Sequence, residues 1–202
     1  MHWLWCLYIS LPNESIKINK MEIEIRAEIN NIADIEKKLI GLGAKLVKRK
    51  KQVDKYFGEI NLFKKIGYSF MMRVRNEGDK NYLTYKGAAS KKDGVWEEYE
   101  FEIVNGDVAQ KMLTAMGLEE IIQVRKNRIE YKLDNLSICL DNIAELGNFI
   151  EIESQDDNDV DKAELKKIME KLNINENKII NKGYITLLLI KNKSPFSEYI
   201  VN

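Results

Sequence analysis

The sequence predicts an α+β domain: an eight-stranded antiparallel β-barrel, open through its middle as a tunnel, with helices packed outside. Two observations lead there. Eight stretches alternate apolar and polar residues with the period of a half-buried strand. Most of them follow one another across hairpin-length turns, and helical patterns enter only at intervals. So many strands in antiparallel order suggest a sheet that closes, or nearly closes, on itself.

Met21–Ile29 (MEIEIRAEI) alternates strictly and reads as the first strand. Asn31 then has the character of an N-cap, and Ile32, Ile35 and Leu39 follow at helical spacing before Gly41 and Gly43 stop the helix. Lys45–Phe57 is extended. Tyr68–Asn76 and Asn81–Lys86 pair through Glu77-Gly78-Asp79, and Lys92-Asp93-Gly94 turns into Val95–Val104. A helix from Asp107 to Met116 sets Val108, Met112 and Met116 on one face, with Gly117 as its stop. Strands then cover Ile121–Lys132, Leu136–Ile143 and Phe149–Ser154, the first two joined at Asp134-Asn135. Helices over Val160–Leu172 and Lys182–Ile190 complete the pattern.

The 202 residues are enough for one domain with a proper core. Lys and Arg number 32 and so do Asp and Glu, which removes the usual electrostatic case for a nucleic-acid or membrane-surface binder. Two cysteines, Cys6 and Cys139, exclude a disulfide framework and a cysteine-built zinc site. The single histidine is His2, so acid–base and metal chemistry falls to carboxylates, Lys, Arg and Tyr.

Residues 1–20 differ from the rest. Met1–Pro12 (MHWLWCLYISLP) is apolar and aromatic, yet too short to span a bilayer and without the basic start or cleavage site of a signal peptide. The preferred reading is an extension upstream of a true start at Met21; a short interfacial anchor or an added strand are the alternatives. The domain proper is expected over residues 21–192, with 193–202 as a tail and a cytoplasmic location.

The informative feature is which charges share a face. Glu22, Glu24 and Arg26 alternate with Ile23, Ile25 and Ala27. Arg73 and Arg75 share a face, as do Thr84 and Lys86; Glu98, Glu100 and Glu102; Lys126 and Arg128; and Glu151 and Glu153. Asp141 alternates with Leu140, and by the same parity Arg125 faces outward. A solvated sheet face gives this alternation on any one strand. Here nearly every strand carries it, with acids at both ends of the chain and bases mostly between. With the charged face turned inward, the interior has a cationic wall and an acidic wall, which suits a polyanion bridged to carboxylates by divalent metal. All-oxygen ligands favour Mg²⁺ or Mn²⁺. Two carboxylates at i and i+2 lie about 6.6 Å apart along a strand, so facing pairs from the first and last strands could hold one or two ions.

These residues carry a pattern that resembles the CYTH superfamily, the triphosphate tunnel metalloenzymes. Glu22-x-Glu24-x-Arg26 is similar to the family's Glu-x-Glu-x-Lys signature. In the family's order there follow Gln52-x-Asp54-x-Tyr56-Phe57, Arg73-Val74-Arg75, Leu83-Thr84-Tyr85-Lys86-Gly87 and Glu98-Tyr99-Glu100. Lys126-x-Arg128 with Tyr131, Leu140-Asp141, and Leu146-Gly147-x-Phe149-Ile150-Glu151-Ile152-Glu153 come next, and Gly183-Tyr184-Ile185-Thr186-Leu187-Leu188 looks like its closing helix.

The resemblance implies a metal-dependent enzyme acting on a triphosphate. Glu22, Glu24, Asp141, Glu151 and Glu153 would be the catalytic, metal-side acids. Arg26, Arg73, Arg75, Lys86, Lys126 and Arg128 would grip phosphate oxygens, with Glu98, Glu100 and Tyr56 in support. The branch it looks most like is class IV adenylate cyclase, which converts ATP to cyclic AMP and pyrophosphate. A triphosphatase acting on tripolyphosphate or thiamine triphosphate is the alternative, and a non-catalytic polyphosphate-binding module a third. Members often form homodimers. Two positions depart from the family: Arg26 stands where it usually has Lys and cannot exchange a proton near neutral pH, and Trp96 stands where an Arg is often found. The run Lys48-Arg49-Lys50-Lys51 reads as a solvated strand end, with substrate steering the lesser option.

Overall fold

The computed structural model describes residues 17–18, 24–66, 70–90, 95–154 and 162–199. Eight long strands form its frame: β2 (Glu24–Ile29), β3 (Lys45–Gly58), β4 (Phe70–Glu77), β5 (Lys80–Ser90), β6 (Val95–Ile103), β7 (Glu119–Leu133), β8 (Leu136–Ile143) and β9 (Gly147–Ser154). Two-residue strands β1 (Lys17–Ile18) and β10 (Ile179–Ile180) lie at the sheet's edges. The order is β1-β6-β5-β4-β3-β7-β8-β9-β2-β10, antiparallel throughout. The expected eight strands and their hairpins are therefore present. Among the described residues no backbone ladder joins the two edges. Lys17 and Ile18 pair with Glu100 and Tyr99, so at that point the extension does add a strand. The Lys92–Gly94 turn, the first residues of the Tyr68 strand and the start of the helix expected at Val160 lie outside the described residues.

Helices fill the outside as their sequences direct. In α1 (Ile32–Gly41) the Asn31 side chain accepts from the Ala33 amide at 2.9 Å, and the chain leaves through Gly43 at φ +88°. Its Ile35 and Leu39 join Leu165, Met169 and Leu172 around α4 (Lys162–Lys171). Together these cover the outer face of β2, β8 and β9, where Ile25, Ala27, Ile138, Leu140, Ile150 and Ile152 are buried. Each of these Ile and Leu side chains contributes about 1.5–3 kcal/mol of burial, which favours turning the unlike face of the same strands inward.

A second core lies on the inner face. Tyr56, Met71, Val124, Ile143 and Phe149 occupy the same parity as the charged residues, but one step nearer one end, where they meet α5 (Tyr184–Lys191), α2 (Ile60–Ile66) and Phe196. The interior is thus apolar at one end and ionic beyond it. The short helix α2 is absent from the sequence expectation. Seven residues carry little periodicity, and its start depends on Glu59, whose carboxylate accepts from the Asn61 and Leu62 amides.

Helix α3 (Gly106–Ala115) corrects the sequence reading in another way. Leu113 is its buried contact, with Leu118, Phe57 and Val74, while Val108, Met112 and Met116 are 51, 59 and 67% exposed. A short helix resting on a sheet covers one narrow stripe, and the sheet took Ala109 and Leu113. No described helix is long and apolar enough to cross a membrane.

Candidate active site

Strand parity puts the predicted cations and acids on one inner face, and the sheet curls it around a shared interior. The register pairs Arg26 with Glu151, Glu24 with Glu153, Arg128 with Asp141, Arg73 with Thr84 and Lys86 with Glu98. Curvature is evident in the electrostatics. Lys86 on β5 acts on the Glu24 carboxyl of β2, although five strands separate them in the hydrogen-bonded order.

The first group joins β2, β7, β8 and β9. Arg26 Nε donates to Glu151 Oε2 at 3.0 Å and Arg26 Nη2 to Glu24 Oε1 at 2.9 Å. Arg128 Nε and Nη2 donate to the two Asp141 oxygens at 2.7 and 2.6 Å, with Glu151 Oε1 3.4 Å away. Burial alone would raise the Glu151 carboxyl, but Arg128, Arg26 and Lys126 together hold it well below the usual range. Glu24 goes the other way: burial and the nearby Glu151 charge raise it, tempered by the 44% of its side chain that meets solvent. Glu153 stands directly opposite Glu24, a like-charge placement that costs stability unless a cation lies between. Glu22 lies outside the described residues.

The second group centres on Asp54, only 1% exposed, which takes Arg75 Nε and Nη2 at 2.7 Å each and has Lys126 Nζ at 3.9 Å. Burial pushes the Lys126 ammonium down to about 8, with Arg128 adding to the fall. In the third group, Arg73 donates to Thr84 Oγ1 at 3.1 and 3.0 Å, to Glu98 at 3.1 Å and to Glu100 at 2.5 Å, while Lys86 reaches Glu98 at 2.9 Å. Tyr56 is buried below, its phenol raised by that burial and by the charge of Asp54.

Sequence reasoning left several members unassigned. Asp54 sat inside a quoted motif, and its signal was the shared parity of Gln52, Asp54 and Tyr56. The basic run is not simply solvated either. Lys50 turns inward to Glu130 at 2.5 Å and Glu77 at 3.4 Å, and Lys48 meets Glu77 at 2.7 Å. Arg125 is exposed, as its parity requires.

The donor set fits a hard divalent cation in kind, being all carboxylate oxygen. Glu24, Glu151 and Glu153 are the carboxylates that two adjacent strands bring to one face, and they would be the ones to hold such an ion. Among the described residues no three acidic or thiol side chains yet converge on one point.

An antiparallel tunnel whose inner wall is a mesh of Arg, Lys and carboxylates defines a class of polyanion-handling domain. Residues 20–184 match the CYTH domain, and the chain belongs to the CYTH family. Over 173 residues it is 32% identical to "Putative adenylate cyclase MJ0240" of Methanocaldococcus jannaschii, covering 83% of this chain and 98% of that one. The PH1012 protein of Pyrococcus horikoshii superposes with a TM-score of 0.69 at 31% identity, over 83% of this chain and 99% of the other. HpAC1 from Hippeastrum, a "putative adenylyl cyclase" described as revealing a dominant triphosphatase activity, shares the fold with a TM-score of 0.60 at 17% identity, over 86 and 96% of the two chains.

Proposed function

We propose that the chain is a metal-dependent triphosphate-processing enzyme of the class IV adenylate cyclase type, converting ATP to cyclic AMP and pyrophosphate. One observation carries this reading: Arg26, Arg73, Arg75, Lys86, Lys126 and Arg128, from four strands, face one interior that also holds Glu24, Glu151 and Glu153. The working domain is residues 21–192.

The cations clamp the phosphate chain and neutralise charge as it shifts toward the leaving pyrophosphate. Glu98 and Glu100 hold Arg73 and Lys86 at the angle this needs. Glu24, Glu151 and Glu153, with Asp141 and with Glu22 beyond the described residues, would hold Mg²⁺ or Mn²⁺. Such an ion supplies charge neutralisation between carboxylates and phosphate oxygens and lowers the pKa of the attacking hydroxyl. Lys126, brought down to about 8 by burial, is charged below that pH and joins the clamp. The ribose 3′-hydroxyl would attack the α-phosphorus, its proton passing to solvent, as the bond from the α-phosphorus to the bridging oxygen breaks and pyrophosphate departs.

A second reading, hydrolysis of the terminal phosphate of tripolyphosphate or thiamine triphosphate, draws support from the activity described for the Hippeastrum protein of the same fold. The same residues would serve it. Incubating pure protein with ATP or tripolyphosphate and Mg²⁺ or Mn²⁺ decides. Cyclic AMP with pyrophosphate supports the cyclase, and orthophosphate supports the hydrolase. Binding without turnover would overturn both.

A further inference from the structure

The first residue of α5 puts a phenol where the ionic part of the interior meets its apolar end. The Tyr184 ring packs on Phe149 with centroids 5.1 Å apart. Its face takes the Arg26 guanidinium at 4.6 Å and the Lys126 ammonium at 5.8 Å, two of the six cations assigned to phosphate. The ring is therefore held by both cations and by Phe149.

Its hydroxyl is not satisfied. Tyr184 is 8% exposed, and its Oη has no hydrogen-bond partner. Yet it lies close enough to Glu151, Asp141, Arg26 and Arg128 to interact with all four. Buried phenols normally find a partner, and one left without it costs stability. Here the neighbouring carboxylates are committed to Arg26 and Arg128, so the phenol keeps a free donor beside the cations that pack on its ring.

We propose that Tyr184 is a further substrate-binding residue: its O–H donates to an oxygen of the bound phosphate chain, which Arg26 and Lys126 hold beside the ring. This rests on the triphosphate reading above. It adds that α5 contributes to ligand recognition as well as to the apolar core. The other orphaned atom, Gln52 Oε1, is an acceptor and unsuited to a phosphate.

The test is calorimetric titration of tripolyphosphate, at fixed Mg²⁺, into the wild type, Tyr184→Phe and Tyr184→Leu, with melting temperatures measured without ligand. Tyr184→Phe keeps the ring over Arg26 and removes an unpaired donor. Its unliganded melting temperature is expected to hold or rise, while tripolyphosphate binds about tenfold more weakly, as for the loss of one charge-assisted hydrogen bond. Tyr184→Leu, which also removes the ring, weakens binding further. Binding by Tyr184→Phe within twofold of wild type overturns the proposal and leaves the triphosphate reading standing. A melting temperature lowered by several degrees also overturns it, because the hydroxyl would then serve the fold. A wild type that binds no tripolyphosphate removes both.

Discussion

Asp141 accepts both arms of the Arg128 guanidinium, at 2.7 and 2.6 Å, with none of its own surface exposed. The two stand opposite each other on β7 and β8, so the sheet register sets the geometry before any ligand arrives. The guanidinium is thus fixed in advance, and removing either partner strands a charge.

Asp141→Ala is therefore expected to destabilise the fold by about 3–5 kcal/mol, as for a broken buried ion pair. The lower end is expected because Glu151 remains 3.4 Å from Arg128. Urea denaturation measures the loss. The double variant Asp141→Leu with Arg128→Met should recover most of it, since no buried charge is then left alone.

Glu151→Ala and Glu153→Ala should abolish turnover while the protein stays folded. Arg26 keeps Glu24 and Arg128 keeps Asp141 when Glu151 is gone. Product assays paired with circular dichroism check this. Full turnover in both variants would refute the metal assignment.

Lys126 sets the alkaline limb. Its pKa of about 8 lies below the ordinary 10.5, so below pH 8 it is charged and, on the proposed function, would grip phosphate. As pH climbs through 8 that charge is lost, and kcat/KM should fall with it. Lys126→Arg should carry the plateau beyond pH 9. Folding stability has the opposite sign. Between pH 8 and 10.5 the unfolded chain binds the proton that the folded one has released, so stability rises with pH there.

Glu77 sets part of the acid limb. Burial would raise its carboxyl, but hydrogen bonds from Lys48 and Gln52 and the charge of Lys50 bring it down to about 2, against an ordinary 4.5. Its contribution is present above pH 4.5 and lost as pH falls toward 2. The lowered pKa is equivalent to about 3 kcal/mol at most, less because Lys48 is half exposed. Chemical denaturation at pH 7 and pH 3 should show a smaller difference for Glu77→Gln than for wild type.

Much of this was legible because a strand has a period of two. Arg73 and Arg75, Lys126 and Arg128, and Glu151 and Glu153 were assigned to shared faces from alternation alone, and each pair lies on the inner face. The same parity could not say where along that face charge gives way to Tyr56, Met71 and Val124, which depends on register between strands distant in sequence. It could not show that β3 lies beside β7, a pairing that runs from Gly58 opposite Glu119 to Lys45 opposite Lys132, more than sixty residues apart throughout. Asp54 and Tyr184 stood inside motifs without a role of their own for a related reason. Neither has a partner nearby in the chain, and their importance appears only once Arg75 and Arg26 are brought to them.

The bare side of α3 has a use. An oxidant such as peroxide meets the thioethers of Met112 and Met116 at once, whereas Met71 and Met169, 4 and 1% exposed, are shielded inside the two cores. Peptide mapping after peroxide treatment is therefore expected to find sulfoxide first at Met112 and Met116 and last at Met71 and Met169.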